Sequence, residues 1–124
     1  MTLFLWTSRI IRRAEVKAHR ERTYLFGDNA LYRGLGGMAR ECRGELNAVG
    51  VPTKWTPRMN DEAFFSDNDN PWDMEQDLIE SAIQRAESYG NPIVVPAGLG
   101  RGLAQMPTRC PKLYAWMCKR LERP

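Results

Sequence analysis

Hydrophobic and polar positions along this chain alternate between two periods. Short runs rich in β-formers, Thr2–Trp6, Thr23–Phe26, Ala48–Pro52 and Ile93–Val95, read as strands. Pro52 is expected to stop the pairing of the third. Between them lie stretches with helical spacing. Ile10, Ala14 and Ala18 sit four apart, with Ile11 beside them, and predict a basic helix from Ser8 to His19. A short helix after Gly36 is expected to reach Cys42 or Arg43, with Gly44 ending it. The stripe Leu78, Ile79, Ala82, Ile83 and Ala86 predicts a long helix from Trp72 to Tyr89, with Asp73, Glu75 and Asp77 favouring its N-terminus and Gly90 closing it. A last helix opens at Thr108 or Pro111 and turns Leu113, Trp116, Met117 and Leu121 inward.

The resulting order, β-α-β-α-β-loop-α-β-α, implies one α/β domain over residues 1–124, a three-layer sandwich whose sheet is mixed but mostly parallel. In such sheets ligands bind beyond the carboxyl ends of the strands. The segment from Thr53 to Pro71 carries Pro57, Asn60, Ser66, Asn68, Asn70 and Pro71 and reads as a long surface loop. Trp55, Phe64, Phe65 and Trp72 lie in or beside it. They either pin the loop to the core or offer one ring to stack on a base.

Two glycine-rich loops change the picture from architecture to chemistry. Gly27-Asp28-Asn29-Ala30-Leu31-Tyr32-Arg33-Gly34-Leu35-Gly36-Gly37-Met38-Ala39 follows the second strand, and Ala97-Gly98-Leu99-Gly100-Arg101-Gly102-Leu103-Ala104 follows the fourth. Glycine lets backbone approach a ligand closely, and N–H groups exposed at such turns favour an anion. The first loop lacks the Gly-Lys-Ser/Thr of a nucleoside-triphosphate P-loop, and its spacing breaks the dinucleotide G-x-G-x-x-G pattern. Arg101 is a candidate phosphate clamp or an exposed loop arginine. Asp28 is placed to accept from an adenine amino group or a ribose hydroxyl and Asn29 to bond a ribose; alternatively both side chains close an Asx-turn. Thr53 and Lys54, at the end of the third strand, are further ligand candidates.

Charge agrees with an anionic ligand. The net charge of +3 is unevenly spread: residues 1–58 hold 11 Lys/Arg against 5 Asp/Glu, residues 59–90 hold 1 against 9, and residues 91–124 hold 6 against 1. Both glycine loops fall in the basic parts. No apolar run approaches the roughly 20 residues that span a bilayer, and Met1 to Trp6 is too short for an export-signal core. The expectation is a cytoplasmic protein without a membrane partner. Cys42, Cys110 and Cys118 are odd in number, and His19 is the one histidine, so free thiols and no metal site are expected.

Phe26-Gly27-Asp28-Asn29, Gly36-Gly37-Met38-Ala39, Asn47-Ala48-Val49-Gly50-Val51-Pro52-Thr53-Lys54 and Gly98-Leu99-Gly100-Arg101-Gly102-Leu103-Ala104 follow one another in an order that resembles small phage and bacterial macro-domain-like proteins. The resemblance covers residues 23–54 and 92–108. It implies a macro-like fold that holds ADP-ribose between two loops, with no cofactor, in the bacterial cytoplasm or that of a phage-infected host. By it, Asp28 or Asn29 meets adenine or the distal ribose and is the candidate for catalysis. Gly27, Gly34, Gly36, Gly37 and Met38 line the ribose and phosphate side, and Gly98, Gly100, Arg101, Gly102 and Leu103 hold the diphosphate. Some members of the wider family hydrolyse ADP-ribosyl bonds and others only bind. Two other classes fit the residues as well: a basic nucleic-acid-binding module, and a host-protein-binding module that uses the acidic segment 59–90.

Overall fold

The computed structural model describes residues 1–68 and 73–124. Trp72, expected to open the long helix and to join the loop aromatics, lies outside them, as do Asn70 and Pro71. The chain runs β1 (Phe4–Thr7), α1 (Arg13–Ala18), β2 (Thr23–Asn29), α2 (Ala39–Cys42), β3 (Ala48–Lys54), a 3₁₀ turn (Asp61–Ala63), α3 (Asp73–Glu87), β4 (Ile93–Pro96), α4 (Met106–Arg109) and α5 (Pro111–Arg120). The four strands form one sheet in the order β1-β4-β2-β3, and every pairing is parallel. The antiparallel admixture expected from sequence reduces to a single bridge between Lys54 and Phe64.

Strand alternation sorts the core into two layers. Leu25, Val49, Val51, Ile93 and Val95 face α3, α4 and α5, where Ile79, Ile83, Met106, Leu113 and Met117 complete the larger core. Tyr24, Phe26 and Val94 point the other way and pack with Ile11, Val16, Ala39 and Cys42 beneath α1 and α2. The sheet is therefore covered on both faces, as a parallel sheet requires. Cys42 and Cys110 are free and buried, and burial pushes both thiols up to about 12; Cys118 is free and half-buried.

Several boundaries differ from the sequence expectation. The helix predicted from Ser8 begins only at Arg13, because Ile11 rather than Ile10 enters the core; residues 8–12 are not helical and Arg12 is extended. Ile10 is left 72% exposed. β2 continues through Gly27, Asp28 and Asn29, so the start of the first glycine loop is strand. β3 continues past Pro52 to Lys54. Pro52 sits on the edge strand next to a register shift, where Asp28 pairs with Pro52 but Asn29 with Lys54. The skipped Thr53 donates its hydroxyl to the Asp28 carbonyl at 3.1 Å and so supplies a donor where the ladder is interrupted. β1 likewise runs one residue beyond Trp6; the last helix opens at Pro111, one of its two expected starts, with the short α4 preceding it across Cys110.

The acidic helix α3 is tied to α5 by Arg120. Its guanidinium donates to both carboxylate oxygens of Glu80 (2.8 and 2.9 Å) and to Glu87 (2.8 Å). The Thr2 hydroxyl donates to the second oxygen of Glu87. Hydrogen bonds from Arg120 hold both carboxyls below their ordinary range. A depressed folded-state pKa stabilises above the unfolded value, and the benefit disappears as pH falls through the folded one. We expect Arg120→Gln to cost about 1–2 kcal/mol at neutral pH. The gap to the parent should close as pH drops below the ordinary carboxylate value of 4.5. Thermal denaturation of both proteins across that range checks this; a gap independent of pH would refute it.

Candidate functional site

The strand order places the site. After β2 the chain leaves toward α2 on one face; after β4 it leaves toward α4 and α5 on the other. Because β4 and β2 are neighbours, their departing loops diverge and a crevice opens at the carboxyl ends. A cleft of about 720 Å³ occupies that place, and the last residues of all four strands, Thr7, Asn29, Lys54 and Pro96, line it. Its size lies in the range of small-molecule and cofactor sites.

Both glycine loops reach this one cleft. Gly27, Asp28, Asn29, Gly34, Gly36, Gly37, Met38, Thr53, Lys54, Gly98, Gly100, Gly102 and Leu103 all line it. The loops also touch: a Cβ on Gly36 would lie 3.1 Å from Leu103 Cδ1. Arg101 is the exception. It is exposed on the outer side of its loop and is not part of the cleft wall, which places it as a solvent-facing loop arginine. Trp55, Phe64 and Phe65 are not in the wall either. Phe64 and Phe65 are buried and Trp55 packs edge-on to Phe65 with ring centroids 4.9 Å apart, so these rings pin the loop.

The polar candidates of the first loop are engaged by the protein. Asp28 accepts from both terminal nitrogens of Arg43, at 2.5 and 3.0 Å, and from the Asn29 N–H at 2.8 Å. Arg43 donates onward to the carbonyls of Tyr32 and Gly34, both at 2.9 Å. The side chain of Asn29 closes the turn: its oxygen accepts from the Leu31 N–H at 3.0 Å and its amide donates to the Arg33 carbonyl at 2.7 Å. Sequence reading missed Arg43, which lies on the far side of the loop from Asp28, and the role of Gly50. A Cβ on Gly50 would overlap the Asp28 carboxylate and sit 3.0 Å from its Cβ and Cγ, so β3 needs glycine where Asp28 crosses it.

The second loop separates two uses of glycine. Gly100 has φ +80°, and a Cβ there would press on Met106 Sδ at 2.7 Å, so the core itself demands glycine. Gly98 and Gly102 have no such constraint: a Cβ on either would stand in open space. The carbonyls of Gly98, Gly100 and Gly102 accept from the N–H groups of Arg101, Met106 and Gln105 at 2.9, 2.9 and 3.2 Å. Among the described residues, no acceptor meets the N–H groups of Gly98, Gly100, Gly102 or Leu103.

The wall is cationic. Arg9, Arg12, Arg33, Arg40, Arg43 and Lys54 stand against two carboxylates, Asp28 and Glu41. Asp28 is paired with Arg43, and Glu41 accepts from the Arg13 N–H at 3.0 Å. Lys54 is only 6% exposed. Its Nζ donates to the Arg58 carbonyl at 2.6 Å, approaches Met59 Sδ at 3.2 Å and lies 4.7 Å from the centre of the Phe64 ring. Burial, then the nearby Arg109, lowers its pKa. Among the described residues no group of three or more His, Cys, Asp or Glu gathers to hold a metal ion. No helix in them is long and apolar enough to cross a membrane.

Removing one partner of the Asp28–Arg43 pair leaves a buried charge. We expect Arg43→Met to cost about 3 kcal/mol, and Asp28→Leu/Arg43→Met to cost clearly less than the sum of the two single changes. Urea denaturation of the four proteins measures the coupling; additive costs would overturn the assignment.

No curated protein and no solved structure matches the chain. Residues 6–120 match the model called Family of unknown function (DUF7831), and the chain belongs to that family.

Proposed function

Starting from membership of a family whose function is open, we propose that the cleft binds ADP-ribose or a closely related nucleotide, with the diphosphate against the second glycine loop. The observation that carries this reading is the glycine pattern there. Gly98 and Gly102 are free of any packing demand, stand over open space, and sit beside N–H groups that no protein acceptor takes up. Backbone of that kind suits a diphosphate approaching closely. The cationic wall and the desolvated Lys54 ammonium supply the complementary charge. The order of motifs shared with macro-domain-like proteins selects ADP-ribose from among the anionic nucleotides. Asn29 and Thr53 border the space where the nucleoside end would lie.

Binding is favoured over hydrolysis. Cleavage of an ADP-ribosyl bond calls for a group that activates water or stabilises the sugar cation. The two carboxylates of the wall are already held by Arg43 and by the Arg13 backbone, and both polar ends of Asn29 are used in its turn.

The test is a calorimetric and thermal-shift panel of ADP-ribose, NAD, AMP and inorganic phosphate. ADP-ribose at a hundred times its dissociation constant should stabilise the fold by about 2.7 kcal/mol. Gly98→Val and Gly102→Val should leave the melting temperature of the free protein within about a degree or two, yet remove most of the ligand-induced shift. Absence of any response to ADP-ribose, or unchanged binding in both variants, would overturn the reading.

A further inference from the structure

Among the non-glycine residues in the left-handed region, Tyr32 is the aromatic one, and it lies outside the cleft wall. Tyr32 has φ +55°, a left-handed conformation that bulky residues seldom adopt because Cβ crowds the following carbonyl. The residue is 46% exposed. The conformation is held from both sides. The Tyr32 N–H donates to the Asn29 carbonyl at 2.9 Å, and the Tyr32 carbonyl accepts from Arg43 at 2.9 Å. The clamp on the glycine loop therefore also presents an aromatic ring beside the cleft.

The same loop carries one of three uncommitted cations that border the cleft. Arg33 follows Tyr32 directly, and Arg33, Arg12 and Arg40 are all exposed and all border the cleft. Among the described residues, none of these three guanidinium groups has a hydrogen-bond or ion-pair partner. By contrast, Arg9, Arg13, Arg20 and Arg43, from the same basic segment, are each paired with a carboxylate. The acidic helix α3 lies on the opposite layer of the sheet. Three unpaired guanidinium groups thus share the border of one cleft.

We propose that this shoulder is a binding track for single-stranded nucleic acid, with Tyr32 as the stacking platform for a base and Arg12, Arg33 and Arg40 as phosphate contacts. The inference goes beyond the ligand of the cleft: the residues concerned extend outside what a single diphosphate would occupy, and Tyr32 is not in the cleft wall. An exposed aromatic beside unpaired guanidiniums is the combination by which strands are held without reading sequence. An acidic protein segment would use the arginines but gains little from the ring.

The test is fluorescence anisotropy with labelled poly(dT) and poly(U) strands over a series of salt concentrations, with poly-glutamate as a competitor. The parent protein should bind the strands, with affinity falling linearly on a log–log plot against salt. Arg33→Gln/Arg40→Gln should flatten that slope by about 1 to 2, since each arginine that neutralises a phosphate of a single strand contributes roughly 0.7. Tyr32→Gly is the decisive variant. It should raise the melting temperature, because it relieves the backbone, while weakening strand binding by about tenfold or more; Tyr32→Phe should retain binding. ADP-ribose binding should be unaffected by Tyr32→Gly, so failure here is distinguishable from failure of the cleft reading. Strand binding insensitive to Tyr32→Gly, equal displacement by poly-glutamate, or no strand binding at all would each overturn the proposal.

Discussion

Arg43 and Asp28 form the contact on which the arrangement of this molecule turns. Asp28 lies near the end of β2, nearly devoid of solvent, and Arg43 ends the short helix α2. Isolating such a carboxylate would cost several kcal/mol, and the cost is offset here by a two-point ion pair and a backbone N–H. The same guanidinium then fixes two carbonyls of the intervening loop. One ion pair therefore sets the end of a strand, the path of the segment that follows and the position of a helix. It also dictates Gly50, since β3 can run beneath the Asp28 carboxylate only without a side chain at that point.

That constraint has its consequence at the carboxyl edge of the sheet. β4 lies between β1 and β2, so the chain after it departs to the opposite layer from the chain after its neighbours. The crevice so opened needs two walls of fixed shape. The first is held by the ion pair. The second is held by Gly100, wedged against Met106 and Met117 of the larger core. Both walls are held by the protein's own contacts, the condition under which a ligand of the proposed kind would bind without the entropic cost of ordering the loops.

The sheet was legible because burial on both faces leaves short apolar runs that nothing else in the chain imitates. The long helix was legible for the complementary reason, a five-residue stripe at helical spacing. The segment from Ser8 to Arg12 was not, because Ile10 and Ile11 are adjacent and periodicity alone does not say which enters the core; the choice of Ile11 removes the helix. The extension of β3 past Pro52 was hidden because a proline rule holds for ladders, and the ladder here is broken at Thr53, whose hydroxyl takes part in bridging the break. In the site, the glycines and the order of motifs were legible, and their meeting in one cleft followed from the fold class. The partner of Asp28 was not, since nothing in the intervening sequence marks Arg43 apart from the other arginines of a basic segment. For Arg101 the sequence left a phosphate clamp and an exposed loop arginine equally open, and it stands exposed outside the cleft lining.

The engaged state of Asp28 and Asn29 bears on what a site of this kind does. A residue that acts on a substrate needs a polar atom left over after the fold has taken what it requires. Here the fold takes both oxygens of Asp28 and both ends of Asn29, so the pair most conspicuous in the sequence serves to shape the wall. What remains in the wall is backbone N–H in the second loop, the guanidinium groups of Arg12, Arg33 and Arg40, one oxygen of Glu41 and the open space above Gly98 and Gly102. Those groups are mostly cationic or N–H donors, the kind that would attract and position an anion. The distribution of engaged and free polar atoms is thus what the proposed binding role rests on, apart from any likeness to proteins that cleave.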